Sequence, residues 1–98
     1  MPTIDQIKNR NANANLHFFD RSTLRFFRSR ISEEVFSGPG GVFFVTSEQF
    51  VYMHSSKPRA YTVRQFNPET GGVETAGEFQ AHKTMRAAKR EAARLANG

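Results

Sequence analysis

Five cations punctuate the last sixteen residues of the chain, Lys83, Arg86, Lys89, Arg90 and Arg94, against one acid, Glu91. At about 100° per residue, Met85, Ala88, Ala92, Leu95 and Ala96 share one side of a helix over His82 to Asn97. Lys83, Arg86, Arg90 and Arg94 share the opposite side, within about 80°. One side suits a core; the other suits water or a polyanion such as a phosphate backbone. Arg21, Arg25, Arg28, Lys57 and Arg59 extend this positive surface if the elements that carry them lie on the same side. The candidate nucleic-acid contacts are therefore Lys83, Arg86, Lys89, Arg90 and Arg94, joined by Arg25, Arg28 and Lys57.

No other set of residues assembles a chemistry. His17, His54 and His82 are far apart in sequence, whereas a metal needs three or four convergent donors. The chain has no cysteine, which excludes disulfides, thiolate metal sites and a cysteine nucleophile. Glu33 and Glu34 are adjacent, so on a strand they point to opposite faces and do not form a carboxylate pair. Ser22, Ser29, Ser47, Ser55 and Ser56 lack any local signature of an activated nucleophile. Gly38-Pro39-Gly40-Gly41 lacks the lysine and helix of a phosphate-binding loop and reads as a turn. The expectation is a non-enzymatic protein with no catalytic residue, metal, cofactor or small-molecule substrate. Its partner is DNA or RNA, or alternatively an acidic protein surface.

The elements that must position the basic stripe are legible from spacing. Ninety-eight residues make one domain, and ten phenylalanines supply its core. No strictly apolar run is longer than Val42 to Val45, and Met1 to Lys8 carries Asp5 without an apolar stretch, so no membrane span or secretion signal is expected. Thr3 and Gln6 form a capping box ahead of Ile4 and Ile7, and the asparagine-rich Asn9 to Asn15 ends that helix as a polar connector. Asp20 caps a second helix with Leu24, Phe27 and Ile31 on one face and Arg21, Arg25 and Arg28 beside them. Val35-Phe36 and Val42 to Thr46 flank the Gly/Pro turn as a hairpin, and His54 to Pro58 is the next break.

Tyr61 to Phe66 and Val73 to Phe79 form a second hairpin around Asn67-Pro68-Glu69-Thr70-Gly71. In the register that separates apolar from charged residues, Phe66 faces Gly72, Val63 faces Thr75 and Arg64 faces Glu74. Tyr61, Val63 and Phe79 then lie under the last helix. Gly71 takes a left-handed conformation with its missing side chain facing solvent. One ring of the Phe43-Phe44 doublet must leave the helix-covered face, either to stack on bases or to be covered by the N-terminal helices. The architecture is two-layer α+β: a helical part over 1–31, an antiparallel four-stranded sheet over 32–80, and a C-terminal helix over 81–98 packed on one face.

Two resemblances follow from particular residues. Tyr61-Thr62-Val63, Gly77-Glu78-Phe79 and the run Arg86 to Ala96 are similar to the last strands and second helix of double-stranded-RNA-binding domains. That likeness implies phosphate contacts at Lys83, Arg86 and Lys89 and recognition of duplex shape. The loop Met53 to Lys57 lacks that family's Gly-Pro pattern, and the Gly-Pro-Gly-Gly hairpin is an addition. The phrases TIDQIKNRN, RFFRSRISEEVF, GGVFFVTSEQF and YTVRQFNPETGGVETAGEF resemble a group of small uncharacterised proteins of tailed phages, prophages and plasmids. That resemblance implies an accessory protein acting in the bacterial cytoplasm. An inhibitor of a host defence machine is the alternative role.

Overall fold

The structure, a computed structural model, describes residues 2–20, 24, 29–49, 51, 52, 55, 56 and 59–98. Its elements are α1 (Ile4–Asn13), β1 (Arg30–Gly38), β2 (Gly41–Glu48), β3 (Val51–Tyr52), β4 (Ser55–Ser56), β5 (Ala60–Phe66), β6 (Val73–Thr75) and α2 (Met85–Asn97). Four antiparallel strands form one sheet in the order β1-β2-β5-β6, and β3 pairs with β4 in a small separate hairpin. The fold is α+β, with α2 packed across one face of the sheet.

The capping box at the start of α1 forms as its residues predict. Thr3 Oγ1 accepts from the Gln6 amide at 3.2 Å, and Gln6 Oε1 accepts from the Thr3 amide at 2.9 Å. The asparagine run ends this helix only toward its far end: Asn9, Asn11 and Asn13 are still helical, and α1 stops at Asn13. Asn11 is buried and donates through Nδ2 to the Gly71 carbonyl at 2.8 Å, a tertiary bond that overrides asparagine's local preference for turns. The chain turns away at Asn15 with φ 60°, a left-handed conformation asparagine tolerates. Most of the expected second helix lies outside the described residues. Its end is corrected, because Arg30 and Ile31 belong to β1, where Ile31 pairs with Thr46 and packs beside Phe44.

The β5–β6 register is one residue from the expected one: Arg64 faces Thr75, Gln65 faces Glu74 and Phe66 faces Val73. The turn decides this. Asn67 Oδ1 accepts from the amides of Glu69 and Thr70, and the Asn67 amide donates to the Gly72 carbonyl at 2.9 Å, so Asn67 rather than Phe66 stands opposite Gly72. The slip moves Val73 to the face away from α2 and places Thr75 beside Arg64. The strand also ends at Thr75, since Gly77 is left-handed at φ 84°. Phe79 is consequently 42% exposed and does not sit under α2, whereas Val63 and Tyr61 do.

Gly71 is left-handed, at φ 78°, but its surroundings are not open. A Cβ there would stand 2.8 Å from the Arg10 carbonyl oxygen, against the end of α1. Gly71→Val should therefore lose about 1–2 kcal/mol to backbone strain alone, and more from displacing α1. Urea denaturation reads this directly, and a midpoint equal to that of the wild type would refute it.

The core divides by sheet face. Phe43, Val45 and Val63 pack with Ala88, Ala92 and Ala96 of α2. Phe44 and Phe66 pack on the other side with Ile4, Ile7 and Val35. Phe44 is fully covered, its ring 5.9 Å from Phe19 and 6.3 Å from Phe18. Coverage, not base stacking, answers the Phe43-Phe44 doublet.

Candidate nucleic-acid interface

The basic helix is clamped at both ends. Its buried side is alanine at Ala88, Ala92 and Ala96, so its backbone lies close over β2. The turn between β1 and β2 receives its C-terminus: the Gly40 amide donates to the Ala96 carbonyl at 2.9 Å, satisfying one of the helix's terminal acceptors. At the other end Thr84 is the N-cap, its Oγ1 accepting from the Ala87 amide at 3.1 Å. The helix therefore begins at Met85. His82 and Lys83 precede it, with His82 bridged to Tyr61 by two backbone bonds of 2.8 and 3.1 Å.

The predicted cations separate into free and paired. Arg86, Arg90 and Arg94 are exposed and follow one another at one-turn intervals, spanning about 12 Å along the axis. Arg94 is held by Glu91 one turn back: Nε lies 3.1 and 3.0 Å from the two carboxylate oxygens, and Nη2 also donates to Oε1. That hydrogen bonding keeps the Glu91 carboxyl below the usual carboxylate range and pushes the Arg94 guanidinium up. Lys89 points off the stripe and pairs with Glu34 of β1 at 3.0 Å. Among the described residues, Lys83, Arg86 and Arg90 form no ion pair. Arg25, Arg28 and Lys57 lie outside the described residues. Arg59 is turned onto Ser47, through Nε to Oγ at 3.0 Å and Nη2 to the carbonyl at 3.1 Å.

A buried polar network went unread in the sequence. Glu48 closes β2 fully buried, on the face away from α2, and accepts from Thr46 Oγ1 at 2.6 Å, Thr62 Oγ1 at 3.1 Å and Arg64 Nη2 at 3.0 Å. Arg64 also donates to Thr46 Oγ1 at 3.0 Å and Thr75 Oγ1 at 2.7 Å, and its guanidinium lies 5.3 Å from the Phe18 ring centre and 5.4 Å from that of Phe79. The Gln80 amide donates to Thr62 Oγ1 at 2.8 Å, so the network holds the segment that leads into α2. The signal was present: Thr46 and Glu48 share strand parity, and Thr62 and Arg64 share it on the neighbouring strand.

Among the described residues no group of three or more His, Asp or Glu side chains is placed to hold a metal, and no helix is long and apolar enough to cross a membrane. A family model, that of a family of unknown function (DUF7447), matches residues 3–93, and the chain belongs to that family. No curated protein and no solved structure matches the chain.

Proposed function

We propose that this member of a family of unknown function is a non-enzymatic protein that binds nucleic acid through backbone electrostatics. Arg86 and Arg90 are its principal phosphate contacts, with Lys83 and Arg94 flanking them. One observation carries the reading: two exposed arginines, one turn apart and without an acidic partner among the described residues, stand on a helix fixed at both ends. A helix already fixed adds no backbone-ordering cost when phosphate arrives. Lys89 contributes less, because Glu34 must first release it. The role fits an accessory protein of a phage or other mobile element in the bacterial cytoplasm, as the sequence resemblance implies.

The test is the salt dependence of binding to short DNA and RNA duplexes. For DNA, log affinity falls against log salt with a slope of about −0.9 per phosphate neutralised. Replacing Arg86 and Arg90 together by Gln should reduce that slope by roughly two and weaken all sequences alike, because phosphate contacts carry no base information. Folding should survive, since both side chains are exposed. If the wild type binds neither duplex at low salt, the reading fails, and docking on an acidic protein surface takes its place.

A further inference from the structure

β1 is an edge strand, and among the described residues nothing pairs with its outer side. The ladder shows which of its amides face outward. The Ala76 amide donates to the Val63 carbonyl at 2.9 Å, so Val63 bonds toward β6. Antiparallel alternation then sends Thr62, Arg64 and Phe66 toward β2, where they meet Thr46, Phe44 and Val42. Gly41 and Phe43 are left to bond β1 through Gly38 and Phe36. The N–H and C=O groups of Val35 and Ser37 therefore point out of the sheet. Devices that blunt an edge, a register shift and the charges of Glu33 and Glu34, are confined to the stretch before Val35.

A cavity of about 250 Å³ runs between this open edge and α2, lined by Phe36, Ser37, Ala93, Ala96 and Asn97, with Glu34 at one end. Its helical wall is short-chained, with Ala93 and Ala96, and Phe36 supplies an apolar patch on the strand side. The charge on its helical side is basic. Glu34 is already neutralised by Lys89, while Arg86 and Arg90, each three residues before a groove-side position (Lys89 and Ala93), occupy the adjoining helix surface without an ion pair among the described residues.

We propose that this groove captures an extended acidic peptide, which adds to β1 as a further strand. Its main chain bonds Val35 and Ser37, one small apolar side chain sits against Phe36, Ala93 and Ala96, and neighbouring carboxylates turn toward Arg86 and Arg90. Strand addition beside a helix draws affinity from main-chain bonds and specificity from alternate side chains. The proposal does not depend on nucleic acid being a ligand.

The probe is a capped heptapeptide alternating threonine with one valine and two glutamates, titrated into the isotope-labelled full chain. Saturable shifts and roughly tenfold slower exchange are expected at the Val35 and Ser37 amides. A version with lysine for glutamate should bind roughly tenfold more weakly. Ser37→Pro removes an outward donor and should abolish binding. Ala93→Leu fills the groove from a half-buried helix position, keeps the fold, and should abolish it too. The proposal is overturned if the peptide leaves Val35 and Ser37 unmoved, if Ala93→Leu binds like the wild type, or if a short DNA duplex protects those two amides and the peptide does not.

Discussion

Replacing Arg64 by alanine should destabilise the protein by about 3–5 kcal/mol, the range for removing one partner of a buried ion pair. Its side chain is 12% exposed and that of Glu48 is fully buried, which separates this pair from surface bridges worth under about 1 kcal/mol. Without Arg64, Glu48 keeps two hydroxyl donors among the described residues, Thr46 and Thr62, around a carboxylate that is fully buried. Thr75 loses its guanidinium partner, and Phe18 and Phe79 lose the cation between them. Removing both charges, as in Glu48→Gln with Arg64→Met, should cost less than Arg64→Ala alone, because no uncompensated charge remains. Urea denaturation of the two variants beside the wild type gives the ordering. A loss under about 1 kcal/mol for Arg64→Ala would mean that water reaches Glu48.

That network also shows where sequence reading stops. Elements defined by local spacing were legible: the Thr3–Gln6 box, the Gly/Pro hairpin turn, the alanine side of α2, and Val63 beneath it. Features that depend on a distant partner were not. Asn11 reads as a turn residue until Gly71, sixty positions away, accepts its amide. The β5–β6 register hangs on which residue closes the turn: side-chain patterning favours Phe66 opposite Gly72, and the turn built on Asn67 Oδ1 overrides it by one residue. Patterning therefore pairs Arg64 with Glu74, when its carboxylate partner, Glu48, is on the strand at its other side. For the basic stripe, the positions of Arg86, Arg90 and Arg94 follow from helical periodicity. Which cations are already neutralised does not: Glu91 with Arg94 is readable at three residues' spacing, but Lys89 with Glu34 requires knowing that β1 runs beside α2.

Gly40→Ala should be among the costliest single-methyl changes in the chain, through the end of the basic helix. A Cβ at this position would lie 1.9 Å from the Leu95 carbonyl oxygen, 2.9 Å from the Gly98 nitrogen and 3.1 Å from its Cα. All three are backbone atoms, so no side chain can rotate aside, and either the turn or the last turn of α2 must move. Overpacking of this kind costs about 1–3 kcal/mol. Losing the Gly40–Ala96 hydrogen bond as the two separate would add about 0.5–1.5 kcal/mol. Gly77→Ala is the contrasting control: Gly77 has a positive φ, 84°, which Gly40 lacks, but a Cβ there meets nothing within 4 Å, so only about 1–2 kcal/mol of left-handed strain is expected. The effect on the proposed phosphate contact at Arg86 should be smaller than that on stability, because Arg86 sits at the opposite end of α2, held by Thr84 and the Tyr61–His82 bridge. Thermal unfolding should place Gly40→Ala below Gly77→Ala by several degrees, each kcal/mol shifting a domain of this size by about 4–8 °C. Equal midpoints for the two variants would show that the β1–β2 turn yields freely and does not fix the helix that carries the arginines.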